Sequence, residues 1–274
     1  MALFTVDPKK CQRDGVCAAE CPAGLIELEG EEAFPVPIPG AEELCIHCGH
    51  CVAVCPRGAL SLVDLKPEDC PPVRKELCLG PDHCEQFLRS RRSIRCYKEK
   101  PVSREILTRL IEIARYAPSG HNLQPAHWRI IEKAPEVKRL AGLVADWMRW
   151  MIREKPEVAG PLHFDRVAAA WEQGTDRICR GAPHLIVAHA PRNLPPAQAA
   201  CTIALTYLDL AAPAFGLGTC WAGYFTAAAT LYAPLAETLC LPPDHQAYGA
   251  LMIGYPKFSY HRLPRRKEPP ITWG

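Results

Sequence analysis

Long apolar runs are missing from the chain. No apolar run among its 274 residues reaches the roughly 18 residues a spanning helix requires. The opening MALFTVDPKKCQ has no apolar stretch long enough for a signal peptide. Charge of one sign is also missing: 32 basic residues face 30 acidic ones, for a net charge of +2, which gives no reason to expect nucleic acid as a partner. No GxGxxG turn is present, so no dinucleotide-binding unit of that kind is expected. No serine–histidine triad and no catalytic carboxylate pair stands out. The expectation is a cytoplasmic protein whose chemistry does not rest on acid–base side chains of its own.

Cysteine, by contrast, is plentiful, with 15 in the chain. Metal-ligand spacing rather than scattered pairs points to a reducing compartment. The run CIHCGHCVAVCP places Cys45, Cys48, Cys51 and Cys55 as C-x2-C-x2-C-x3-C, followed by Pro56. Three thiolates on one tight loop can each reach a different iron of one cube. The fourth, read as opening a short helix after the turn, points away. An earlier run, CQRDGVCAAECP, repeats the spacing with Cys11, Cys17 and Cys21, but has Asp14 in the second position.

The two runs together resemble the two-cluster, bacterial-type ferredoxins. The resemblance implies crossed ligation. Cys21, Cys45, Cys48 and Cys51 would hold a [4Fe–4S] cluster. Cys11, Cys17 and Cys55, with Asp14 as the possible fourth ligand, would hold either a [4Fe–4S] cluster with a labile iron or a [3Fe–4S] cluster. An oxygen ligand is harder than a thiolate and suits this iron less well; the alternative is that Asp14 merely caps a turn and no cluster forms there. All four cysteine positions of the second run are filled, so His47 and His50 read as neighbours of the cluster or as solvent-facing groups.

These motifs occupy residues 1–65. EGEEAFPVPIPGAEEL between them reads as a hairpin or loop broken by prolines, and GALSLVD as a closing strand. Residues 66–84, rich in Pro and charge, read as a linker whose Cys70, Cys78 and Cys84 are ordinary thiols. From residue 85 to 274 helices and strands alternate. SREILTRLIEIARYAP is a helix capped by Ser103, HWRIIE a strand and PEVKRLAGLVADWMRWMIREK a long helix. APHLIVAHA is a buried strand, and AQAACTIALTYLDLAAPAFGLG a helix ended or kinked at Pro213. TAAATLYAPLAETLCL is another helix and HQAYGALMIGYP a last strand. The fold class is α+β: a small ferredoxin-like domain followed by an α+β sandwich. Trp147, Met148, Trp150 and Met151 could be intramolecular core or could face a twin subunit.

Three patches in the second part carry chemistry. Arg91, Arg92, Ser93 and Arg95 in RSRRSIRCYK combine guanidinium forks with a hydroxyl, which suits a phosphate. APSGHNLQPAHW offers Pro118, Ser119, Gly120, Asn122 and Gln124 in a tight loop, with amides that match a mixed donor and acceptor edge. GLGTCWAG brings glycines that let backbone N–H groups approach a flat ring. In this order the patches resemble the nitroreductase family of FMN proteins, in the form that carries a fused two-cluster ferredoxin domain. The resemblance implies an intertwined homodimer with FMN at its interface. Arg91, Arg92, Ser93 and Arg95 would hold phosphate and ribityl; Pro118, Ser119, Gly120 and Asn122 would line the flavin, contributed by the other subunit. Backbone around Gly218 and Thr219 would face the ring, and two of Arg265, Arg266 and Lys267 would complete the phosphate site. Cys220 has no histidine beside it in sequence and reads as a buried thiol; Trp221 and Tyr224 could shape a substrate face.

The implied activity is an oxidoreductase that exchanges electrons between one-electron clusters and a two-electron flavin. It would reduce a small electrophilic acceptor: a nitroaromatic, a quinone or an activated alkene. NAD(P)H or a reduced ferredoxin could be the donor. The alternative is an electron-transfer or redox-sensing module that docks to a partner protein and has no small substrate. A dehalogenase is disfavoured because no long inserted lid is evident.

Overall fold

A computed structural model of the chain describes residues 3–30 and 32–274. It divides into two compact units: one runs to Leu79 and includes His121–Leu123, and the other comprises Gly80–Gly120 and Gln124–Gly274.

The first unit is built from very short elements: β1 (Phe4–Val6), α1 (Val16–Ala19), β2 (Ile26–Glu27), β3 (Val36–Pro37), α2 (Ala41–Leu44), α3 (His50–Ala53) and β4 (Leu60–Leu62). β1 and β4 pair antiparallel, Phe4 opposite Leu62, and β2 pairs antiparallel with β3, so only the second strand of that pair lies in the proline-broken segment. Each cysteine run turns through a glycine in the left-handed region, Gly15 at φ 71° and Gly49 at φ 73°. Glycine adopts that conformation without the Cβ penalty other residues carry. α1 and α3 start directly after these glycines and carry the cysteine at the third position of each motif, Cys17 and Cys51. The cysteines at the fourth position, Cys21 and Cys55, lie beyond the C-terminal ends of these helices. They do not open a helix as the sequence reading had it: the glycine, not the proline, sets where the turn of helix begins. Leu3, Phe4, Leu25, Ile26, Val52, Leu60 and Leu62 form the small core around Cys17.

The second unit contains α4 (Pro81–Ser90), α5 (Arg104–Ala114), β5 (His127–Ile131), α6 (Ala134–Glu154), α7 (Pro156–Ala159), α8 (Phe164–Glu172), β6 (His184–Pro191), α9 (Ala197–Ala211), β7 (Gly218–Trp221), α10 (Gly223–Leu231), α11 (Ala233–Thr238) and β8 (His245–Gly254). The four strands form one antiparallel sheet in the order β5-β6-β8-β7. Helices cover both faces, and the period of two along the strands sorts the core. Leu185 and Val187 of β6, with Ala250 and Met252 of β8, pack towards α6, α8, α10 and α11. Ile186, Ala188, Leu251 and Ile253 pack towards α5 and α9. This explains why β6 is buried along nearly its whole length and reads as a continuous apolar run. Trp147, Met148 and Met151 lie in this intramolecular core, Trp147 tilted on Phe164 at 5.2 Å.

Local rules hold at several ends. Ser103 caps α5 by accepting from the Ile106 N–H. α9 stops at Ala211 and a 3-10 turn containing Pro213 follows, since a proline disfavours helix at the residue before it. The segment TAAATLYAPLAETLCL is two helices rather than one: α10 ends at Leu231, Tyr232 is extended, and α11 starts with Pro234 in its first turn. α4 begins at Pro81, inside the stretch expected to be linker, for the same reason: proline is well suited to a helix start.

Two buried imidazoles make the sheet sensitive to acid. His184 is satisfied as a neutral ring: the Val102 N–H donates to Nε2 at 2.8 Å and Nδ1 donates to the Glu132 carbonyl at 2.7 Å. Burial lowers its pKa. His189 Nδ1 lies 2.9 Å from His245 Nδ1, and the His127 ring lies 5.5 Å from its own. Burial first, then the neighbouring His245, His127 and Arg129, pushes His189 from its ordinary 6.5 down to about 4. Both rings bind fewer protons folded than unfolded. Their contribution is complete above the unfolded value near 6.5 and is lost as pH falls below it, for His189 towards about 4. The expected outcome is a denaturation midpoint that drops between about pH 7 and about pH 5, with a shallower drop in His189→Gln. Parallel pH profiles for the two proteins would contradict this assignment.

Candidate functional site

The eight ligand positions all fall in the first unit, and its cysteines are free thiols. Cys21, Cys45, Cys48 and Cys51 line one small apolar cavity together with Phe4, Leu25, Ile26 and Leu62. The sequence-distant Cys21 is thus gathered with three cysteines of the other run. Burial chiefly, and then the proximity of Cys48 and Cys45, raises the Cys51 thiol to about 11. A second grouping follows from Cys17, raised chiefly by burial and then by the proximity of Cys55 and Cys11. The crossed arrangement repeats in the hydrogen bonds: Leu25 N–H donates to Cys21 Sγ at 3.3 Å and Ala59 N–H to Cys55 Sγ at 3.2 Å, each four residues on. Such N–H to sulfur bonds stabilise thiolate and tune cluster potential.

Asp14 is exposed, and its carboxylate accepts from the Val16 N–H at 3.3 Å, which ties it to the start of α1. His47 and His50 are both exposed, and His47 Nδ1 lies 3.1 Å from the Asp64 carboxylate. Asn122 also belongs to the first unit. Its amide donates to the carbonyls of Ile46 at 3.3 Å and His47 at 2.9 Å.

In the second unit the basic segment after α4 is anchored at several points. Arg92 donates to the carbonyls of Arg91 (2.8 Å) and Arg89 (2.7 Å), while its buried Nε has no partner among the described residues. An unpaired buried guanidinium nitrogen is costly unless an anion completes it. Arg89, Arg91 and Arg92 line a cavity of about 540 Å³ with Leu263 to Pro269 of the C-terminal tail, so Arg265, Arg266 and Lys267 share that groove. Charge, orphan donor and volume fit a phosphate group. Arg91 also reaches the buried Asp209 of α9 at 3.5 Å, and Asp209 accepts the Thr219 hydroxyl.

Gly218 and Thr219 are tied to the same segment. The Ile94 N–H donates to the Thr219 carbonyl at 2.8 Å, and a Cβ at Gly218 would meet Ile94 at 2.2 Å. These two residues hold the RRSIR segment on the strand end; they are enclosed by protein, with Thr219 only 3% exposed. Pro118 and Ser119 line a separate cavity of about 90 Å³ with Gln124, Trp128 and Ala200, and Ser119 Oγ accepts the Gln124 N–H at 2.9 Å. Gly120 packs close to Pro196. Cys220 is buried and its thiol points to the Trp221 carbonyl, which offers no activating base. Trp221 is 37% exposed.

The sequence reading missed Asp209. Its signal was present: it is the one charged side chain in the apolar run from Ala197 to Ala211, and a lone buried charge is retained only when paired. Asp209→Ala leaves Arg91 and the Thr219 hydroxyl without an acceptor and is expected to cost about 1–3 kcal/mol. Asp209→Asn, which keeps an acceptor without the charge, costs less. Urea midpoints decide this; a wild-type midpoint in Asp209→Ala would show that the carboxylate secures nothing.

Comparison with known proteins agrees with both halves of this geometry. Residues 88–255 match the Nitroreductase family, and residues 9–60 match a 4Fe-4S dicluster domain. An NADH dehydrogenase of Thermus thermophilus is 31% identical over 198 residues, 67% of this chain and 92% of that protein. A protein named Ferredoxin 7Fe, from Hydrogenibacillus schlegelii, is 35% identical over 69 residues, 25% of this chain and 82% of its own length. Of the polyferredoxins similar to the first unit, the chain covers only 19% of the length. Among solved structures, a nitroreductase with bound FMN from Bacteroides fragilis superposes with a TM-score of 0.56 at 20% identity, covering 69% of this chain and 96% of that one; this is a likeness of fold.

Proposed function

This chain belongs to the nitroreductase family, and from that premise we propose that it is an FMN- and iron–sulfur-dependent oxidoreductase that reduces a small electrophilic acceptor. The nitroaromatics, quinones and activated alkenes share the chemistry required. The observation that carries the flavin reading is the groove in which Arg91 and Arg92 meet Arg265, Arg266 and Lys267 of the C-terminal tail. In this reading Arg91, Arg92 and Ser93, with Arg265 and Arg266, hold the phosphate, and Arg95 the ribityl end. Pro118, Ser119, Gly120 and Asn122 belong to the ring side of the site. Gly218 and Thr219 act by fixing Ile94, and with it the basic segment. The Pro118–Ser119 cavity and the basic groove share no lining residue in one chain, which favours a homodimer in which a twin copy brings the two together.

When bound, FMN supplies a carrier that accepts or delivers two electrons, alongside clusters that pass them singly. The protein's part is to bind, orient and insulate. Arginine forks neutralise the phosphate, and the cysteines divide into two crossed sets. NAD(P)H, or a reduced ferredoxin docking on the first unit, is the donor.

For the incomplete cluster we favour the three-iron form. Asp14 is engaged by the Val16 N–H, and the similarity to a protein named Ferredoxin 7Fe supports one four-iron and one three-iron centre.

Anaerobic purification with flavin and iron counting tests these readings together. One FMN and about seven irons per chain are expected, with about eight irons in Asp14→Cys. Arg92→Ala is expected to weaken FMN binding at least about tenfold, from the loss of a charge-assisted contact. Full FMN retention in Arg92→Ala would overturn the phosphate assignment, and eight irons in the wild type would overturn the three-iron centre.

A further inference from the structure

A second basic cavity lies apart from the phosphate groove. It holds about 290 Å³ and is lined by Arg95, Arg177 and Arg180, with Trp221, Tyr224 and Met252 among its apolar walls. It shares no lining residue with the groove of Arg91, Arg92 and the C-terminal tail. The cavity has three guanidiniums and no lining carboxylate. None of the three arginines has a carboxylate partner within 4 Å among the described residues.

The acid nearest in sequence is committed elsewhere. Asp176 accepts from the backbone N–H groups of Ile178 (2.9 Å), Cys179 (2.8 Å) and Gly181 (3.0 Å). Its charge is spent on shaping the loop that follows α8, and Arg180 is held in the left-handed region at φ 57°. The loop therefore presents Arg177 and Arg180 on a fixed backbone with their charge uncompensated. Ile178 and Cys179 between them are buried, which anchors the loop to the core.

The walls define what kind of anion suits the site. Trp221 ends β7, and Tyr224 packs edge-on against Phe164 at 5.8 Å. Aromatic faces favour a planar partner, and arginine forks match a carboxylate bidentately. We propose that this cavity seats the acceptor and that the acceptor is a planar aromatic carboxylate, its carboxyl group held by Arg177 and Arg180. The inference rests on the flavin reading, because Arg95 closes the segment assigned to FMN.

The test uses the FMN-loaded full chain. Rates with 4-nitrobenzoate are compared with those for its neutral methyl ester, and benzoate and benzamide are titrated by the change in flavin absorbance, which needs no turnover. The wild type is expected to favour the carboxylates by about tenfold or more in both readouts. The double variant Arg177→Gln/Arg180→Gln is expected to bring the preference close to unity. Arg139→Gln, on the outer face of α6 and paired with Glu136, serves as a charge control and is expected to keep it. No preference in the wild type, or an undiminished one in the double variant, overturns the proposal. So does loss of FMN in the double variant, which would place both arginines in the cofactor seat, or an effect confined to NADPH and absent with NADH, which would assign them to a nucleotide phosphate. Failure of the wild type to bind FMN at all would instead overturn the flavin reading beneath it.

Discussion

The buried carboxylate of Asp209 is the contact on which the flavin-binding unit turns. It sits in an otherwise apolar helix and meets two groups from separate parts of the chain, the Arg91 guanidinium and the Thr219 hydroxyl. A buried charge without partners is prohibitive, so the three groups stabilise one another's placement. The basic segment is fixed to the end of β7, the Ile94–Thr219 backbone bond continues that register, and Gly218 leaves the space that Ile94 fills. Arg92 is left with one buried nitrogen unpaired beside the tail arginines. The proposed anion seat is thus a consequence of how helix α9, strand β7 and the RRSIR segment are joined.

The first unit solves a different problem with different means. It has little apolar core of its own, and small domains of this kind commonly depend on metal for stability. Gly15 and Gly49, both left-handed, set matching turns of helix, and the cysteines beyond those helices lie with the opposite run. Burial raises Cys17 and Cys51, so the thiol form is favoured until a metal binds. Cluster assembly is accordingly coupled to proton release and to folding of the unit.

Legibility in the sequence followed how local each feature is. Cysteine spacing marked the dicluster domain because those distances are set by tight turns. The Ser103 cap and the β6 and β8 strands were legible because capping and runs of mostly apolar residues are written in adjacent residues. Features decided by tertiary context were not. The break between α10 and α11 looks like one periodic helix until Tyr232 extends ahead of Pro234. The start of α4 was hidden in a proline-rich stretch that composition marks as linker. The roles of Gly218 and Thr219 depend on Ile94, more than a hundred positions away, and the paired state of Asp209 on Arg91. Arg177 and Arg180 look like ordinary surface charge until Asp176 is seen to turn its carboxylate into the backbone.

Electron exchange between the clusters and the flavin within one chain is the centre of this account. The most direct measurement is the rate at which reduced clusters are reoxidised by a neutral nitroaromatic under anaerobic conditions, followed by the cluster EPR signals in FMN-loaded and FMN-depleted protein. The account predicts cluster reoxidation at least about tenfold faster when FMN is present, since the flavin is the carrier that meets the acceptor. Equal rates with and without FMN would show that the clusters discharge independently of the flavin site, and would contradict it.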